Sequence, residues 1–302
     1  MASPFTLYDV PESAGAARAL AVTADGAIWC VVGSAGTVVR LTPDGEQIRH
    51  ELGAAAEPHS VAAATRDSVW VTDRGSDRVL RIDASGIVWS AVVPTPHSGP
   101  AGIVGLDDGS AWFVEEFADA VGHVDILGRV AEFDTGVPRG APVSIASDGS
   151  SVWFALPGEG AVARARGGDS LPGLVRFDDP RAAPADVGVG GDGCLWFADP
   201  ARHLVGRVSR GGAVTEFVPA GGSARPTRVA ADRRDGCWFL MEDVGELGHL
   251  DGSGRITIIA VPDDRGAPVA IAVAPSGDVW LALECGVLAR LHSSAGLAAH
   301  IQ

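Results

Sequence analysis

Five side chains of this 302-residue sequence have the chemistry to move a proton or to hold a developing negative charge. His59 lies in Glu57-Pro58-His59-Ser60, directly ahead of the apolar run Val61-Ala62-Ala63-Ala64. A neutral imidazole in that place can take a proton from a bound molecule. Asp73 and Glu115 each close an apolar run with a tryptophan in it, Val69-Trp70-Val71-Thr72-Asp73 and Ala111-Trp112-Phe113-Val114-Glu115. Either carboxylate, set beside the imidazole, would orient it and make it more basic. Arg18 could hold a carboxylate or an enolate oxygen. Glu284, in Leu283-Glu284-Cys285, could serve as the opposing acid or as a metal ligand. Together they suit redox-neutral chemistry: elimination, isomerisation or cyclisation. The same carboxylates also suit a plainer task, capping a turn or pairing with a nearby arginine.

Whether they meet depends on the elements that carry them, and those recur. Tryptophans fall at Trp29, Trp70, Trp112, Trp153, Trp196, Trp238 and Trp280, in steps of 41, 42, 41, 43, 42 and 42 residues. Ten or eleven residues after each comes an x-Arg/His-x strand: Val39-Arg40-Leu41, Leu80-Arg81-Ile82, Gly122-His123-Val124, Ala163-Arg164-Ala165, Gly206-Arg207-Val208, Gly248-His249-Leu250 and Ala289-Arg290-Leu291. An apolar anchor precedes each tryptophan by eight or nine residues, at Leu20, Val61, Ile103, Ile145, Val187, Val229 and Ile271. Strand-rich repeats of this length, joined by Asp-Gly and Ser-Gly turns, predict propeller blades. A four-stranded unit cannot bury both faces alone, so seven pack into a ring, the tryptophans wedged between blades rather than displayed for stacking nucleic-acid bases. The expected fold is all-β: a single domain over residues 1–302, a seven-bladed β-propeller of four-stranded antiparallel blades. The N-terminal Phe5-Thr6-Leu7-Tyr8-Asp9-Val10 resembles the outer strands of later repeats, such as Val214-Thr215-Glu216-Phe217. It is expected to close the ring as the outermost strand of the seventh blade, with the tail Gly296–Gln302 as the competitor for that place.

Equivalent repeat positions then define a mouth. At the starts of the inner strands stand Arg18, His59, Ala101, Val143, Ala185, Thr227 and Val269; at the ends of the tryptophan strands stand Val32, Asp73, Glu115, Leu156, Asp199, Met241 and Leu283. His59, Arg18, Glu284, Asp73 and Glu115 are the candidate catalytic groups. Val143, Leu156, Thr227, Arg228, Met241 and Val269 are the candidate substrate contacts. A concave site with an apolar wall and a few convergent polar groups is the usual form of a small-molecule site.

Composition narrows the partners. The formal net charge of −15 argues against nucleic acid or an anionic membrane as partner, since both require basic patches. All 23 basic residues are arginine, so lysine Schiff-base and phosphate-loop chemistry is absent. No apolar run approaches the length of a membrane span. The opening Met-Ala-Ser-Pro-Phe-Thr carries no signal-like apolar stretch, which points to a cytoplasmic monomer acting on a small molecule. Cys30, Cys194, Cys237 and Cys285 show no metal-ligand spacing and suit reduced thiols. Gly188-Val-Gly-Gly-Asp-Gly193 lies between two strands, where it forms a turn rather than a dinucleotide loop.

The repeat as a whole, with its Asp-Gly-x-x-Trp-Phe, Gly-Arg-Val and Glu-Phe-Val-Pro pieces, resembles the streptogramin lyase (virginiamycin B lyase) family over essentially the full chain. That resemblance implies the same seven-bladed fold. It also implies elimination chemistry that linearises a cyclic depsipeptide antibiotic with Mg²⁺, for which Glu284 would be the ligand here. The family's catalytic histidines lie in Pro-His segments of the last two blades. In this sequence Thr227 and Val269 occupy those places, Ala267 stands for a glutamate and Arg18 for an aromatic. His59 is a Pro-His histidine moved to the second blade. The resemblance therefore implies a lyase-like enzyme turned towards another lipophilic, cyclic natural product. The alternatives are a non-catalytic propeller that binds a small molecule or a protein, and a genuine streptogramin B lyase in which His59 replaces both histidines.

Overall fold

The computed structural model describes residues 3–10, 17–32, 36–166, 173–232, 234–262 and 266–293. Among these, 28 strands form seven four-stranded antiparallel sheets. The first blade runs outward through β2 (Ala17–Val22), β3 (Ile28–Val32), β4 (Thr37–Leu41) and β5 (Gln47–Glu51). Five more repeat that order. The seventh is composite: β26 (Pro268–Val273), β27 (Val279–Leu283) and β28 (Val287–Leu291) are completed by β1 (Phe5–Asp9). β1 pairs antiparallel with β28, from Phe5 opposite Leu291 to Asp9 opposite Val287, as the terminal pattern predicts. The competing tail, Gly296–Gln302, and the middle of the long fourth-blade hairpin, 167–172, lie outside the described residues.

The tryptophan period has a direct packing cause. Seven apolar clusters occupy the seven blade junctions, and each takes the tryptophan of one blade into the strands of the next. Trp29 packs with Val61, Val69 and Leu80 of the second blade, and Trp196 with Val229, Cys237 and Phe239 of the sixth. Trp280 closes the circle against Leu20 and Ile28 of the first. Cys30, Cys194 and Cys237, beside three of these tryptophans, are buried, and burial pushes the Cys30 thiol up to about 12.

The Arg/His strand is explained by register. Each tryptophan lies directly opposite its arginine or histidine, as in Trp29↔Arg40, Trp112↔His123 and Trp280↔Arg290. The cation or ring covers the indole, at 5.6 Å for Arg40, 5.0 Å for Arg164 and 4.4 Å for the His249 ring. An aspartate of the preceding turn fixes that covering group: Asp25 holds Arg40 at 2.7 Å, Asp278 holds Arg290 at 2.6 Å and Asp232 holds His249 at 3.0 Å. The second blade has Ser68 in that role, against Arg81.

Candidate functional site

The inner strands of all seven blades surround a cavity of about 540 Å³ on the ring axis. Its mouth is shaped by a shared irregularity. β2, β6 (Pro58–Ala63), β22 (Pro226–Ala231) and β26 each open with a bulge, where one extra residue interrupts the pairing. The extra residues are Arg18, His59, Thr227 and Val269. A bulge re-aims a side chain and is common beside functional sites. Here it turns His59 and Ser60, and Arg18 and Ala19, towards the axis together.

Of the expected site residues, the structure brings Arg18, His59, Val143 and Arg228 to the cavity wall. It adds Arg74, Glu116, Ser144 and Asp186, which the sequence reading did not choose as site residues. Arg74 donates to Glu116 at 2.5 Å and lies 5.1 Å over the exposed Phe117 ring. Asp186 accepts the Ser144 hydroxyl at 2.6 Å and the Val229 amide at 2.9 Å, tying the fourth, fifth and sixth blades together. Burial raises the Asp186 carboxyl above the ordinary carboxylate range, against the pull of Arg228, Ser144 and Val229.

Four expectations are corrected. Asp73, Glu115, Leu156 and Met241 do not face the mouth; each ends a fully or almost fully buried strand. Asp73 accepts the Glu57 amide at 2.8 Å and pairs with Arg78 at 2.8 Å. It thereby anchors the chain two residues before His59 instead of contacting the imidazole. Glu115 is buried near Ser98 and Glu132, and its carboxyl rises to about 8, first through burial and then through neighbouring acids. Leu156 and Met241 pack inside blade junctions. The physical reason is general to the ring: the inner strand of each blade stands between its tryptophan strand and the axis, so among the described residues no side chain of a tryptophan strand lines the cavity. Only the turn that follows does, which is where Arg74 and Glu116 stand.

The remaining expected residues sit at the periphery. Thr227 donates to Glu242 at 2.7 Å. Val269 packs against the junction of the seventh and first blades, leaving Ala270 and Ile271 at the cavity wall. Glu284 is exposed and its Oε2 accepts the Ala267 amide at 3.4 Å.

The electrostatics of His59 also differ from the expectation of a carboxylate-activated base. Burial, then Arg74, Arg18 and Arg228, lowers its pKa to about 3. The imidazole is therefore neutral throughout the physiological range. Its Nδ1 is buried with no hydrogen-bond partner among the described residues.

Comparison with known proteins fits this architecture. The family described as the Virginiamycin B lyase family matches residues 3–291. A virginiamycin B lyase of Nocardia farcinica (strain IFM 10152) is 29% identical over 223 residues, covering 74% of this chain and 76% of that protein. Selenomethionine-substituted virginiamycin B lyase from Staphylococcus aureus superposes with a TM-score of 0.88 at 22% identity, covering 95% of this chain and 98% of that one. A catalytically inactive histidine-to-alanine form of the Staphylococcus aureus enzyme, solved with quinupristin, gives 0.87 at 23% identity, over 95% of this chain and 98% of that one. At these identities the structures speak to the fold.

Proposed function

This chain belongs to the virginiamycin B lyase family, and from that premise we propose that it performs redox-neutral acid/base chemistry on a small molecule held at the propeller mouth, with His59 accepting the proton. The observation that carries the reading is His59 itself: a bulged, neutral imidazole on the wall of the axial cavity. In a family that includes lyases, the step it suits best is elimination. His59 takes a proton from the carbon beside a carbonyl. The C–H electron pair becomes the new C=C bond, the β C–O bond breaks, and the leaving oxygen keeps its pair as a carboxylate. Arg18 holds the oxygen on which negative charge builds. The imidazolium then returns its proton to water. On a cyclic ester the product is a linear chain of unchanged mass.

A resident Mg²⁺ does not fit this mouth. Glu116 is committed to Arg74 and Glu242 to Thr227, Glu284 lies at the exposed rim, and three guanidinium groups surround the centre.

The second reading, a propeller that binds without turnover, draws on the lowered pKa of His59, since an efficient general base titrates nearer the working pH. Incubation with quinupristin, with and without Mg²⁺, followed by chromatography and mass spectrometry, tests both. A ring-opened product of unchanged mass that disappears in His59→Ala supports the lyase reading. Turnover that survives His59→Ala removes His59 from the chemistry. Retained binding with no turnover of quinupristin or of other cyclic esters favours the binding propeller.

A further inference from the structure

We propose that the mouth is an anion site: it takes a small molecule bearing a carboxylate or a phosphate, held by Arg18, Arg74 and Arg228 above His59. The proposal names the substrate class for the reading above and rests on that reading only for the chemistry that follows binding.

Three arginines meet on one cavity in a chain whose formal net charge is −15. They come from blades one, two and six, elements far apart in sequence, so no local charge run accounts for them. Their local compensation is incomplete. Glu116 is bonded to Arg74, and Asp186 is satisfied by Ser144 and the Val229 amide. Arg228 donates Nη1 to the Thr227 carbonyl at 3.1 Å, a neutral acceptor. Arg18 makes no hydrogen bond or ion pair among the described residues. Two guanidinium groups thus face the cavity without a bonded carboxylate, and the fork of an arginine is matched to carboxylate and phosphate oxygens. The cavity volume is that of a small-molecule site.

The arrangement also gives the anion a part in the reaction. Burial, and then the same three cations, hold down the basicity of His59. A bound anion offsets them, so the imidazole becomes a better base when substrate is present. An empty mouth is then poorly basic, and a neutral ligand of the same shape does not activate it.

The test uses the intact protein at fixed ionic strength, with malonate and inorganic phosphate as separate probes and malonamide as the neutral control. Binding is followed by calorimetry and by the ¹⁵N resonances of the His59 ring. Expected are saturable binding of at least one anion, none of malonamide, and an upward shift of the His59 titration on binding. Preference for malonate or for phosphate identifies the group recognised. Arg18→Met and Arg228→Met, checked for folding by circular dichroism, should each weaken binding about tenfold or more. No saturable binding of either anion overturns the proposal, as does binding that both substitutions leave unchanged. Anion binding together with no ring opening of quinupristin or other cyclic esters leaves the site standing and removes the lyase reading, so the two failures are separable.

Discussion

Two ionisable residues, the half-buried His59 and the buried Glu115, carry opposite pH signatures. Between its ordinary 6.5 and its folded value of about 3, His59 binds a proton in the unfolded chain but not in the native one. Its contribution therefore lowers stability as pH falls through that window. Glu115 does the reverse: with a folded value of about 8 against 4.5, it keeps a proton that the unfolded chain has lost, and its contribution lowers stability as pH rises from 4.5 to 8. Glu115→Gln, which keeps the shape without the charge, should raise the melting temperature at pH 8.5 by several degrees and change little at pH 4.5, read by calorimetry at both. For catalysis, kcat/KM reports the free enzyme, so His59 should impose no falling limb between pH 9 and 5. A sharp fall near 6.5 would mean that neither burial nor the arginines lower its basicity. The candidate site was half legible from residue types. Arg18, His59 and Arg228 were visible because a repeat marks the start of each inner strand. Asp73 and Glu115 misled because an acid at a strand end looks available in sequence, although a neighbouring blade covers it. Arg74 and Asp186 carried no sequence mark that separates them from other turn and strand-start residues.

At the scale of the strand, the most exacting feature is a size match across the sheet. Phe113, Phe197 and Phe239 lie opposite Gly122, Gly206 and Gly248. A methyl group added at any of these glycines would overlap the opposing ring. Gly206→Ala should therefore destabilise by about 1–3 kcal/mol through overpacking, although alanine is ordinarily no worse than glycine in a strand. Trp196→Ala, which empties the fifth junction, should cost about 3–5 kcal/mol. Denaturant unfolding of both variants checks the order, and a Gly206→Ala protein as stable as the parent would contradict the size match. The blades were legible because tryptophan, the Arg/His that covers it and the turn aspartate recur at fixed offsets. The bulges were not. They show as no more than one residue too many between the strand's first residue (Ala17, Pro58, Pro226 or Pro268) and the next anchor, and pairing partners are needed to notice it.

For the whole ring, the join between β1 and β28 holds the seventh blade together. Without β1, the outer edge of β28 and the apolar cluster around Trp280 would lose their cover, which includes Tyr8 at 5.2 Å from that indole. Removing residues 1–10 should lower the melting temperature markedly and produce aggregates on size-exclusion chromatography. A truncated protein that stays monomeric with an unchanged melting temperature would show that the ring does not depend on this strand. The same join sets an order of events during translation. β1 leaves the ribosome well before its partner, since Phe5 pairs with Leu291. Six blades can form from neighbouring segments as the chain emerges, while β1 waits, unpaired, until β28 has followed. Its lone strand is thus a part of the newborn chain in need of a temporary partner, and the emergence of β28 is what allows the circle to shut.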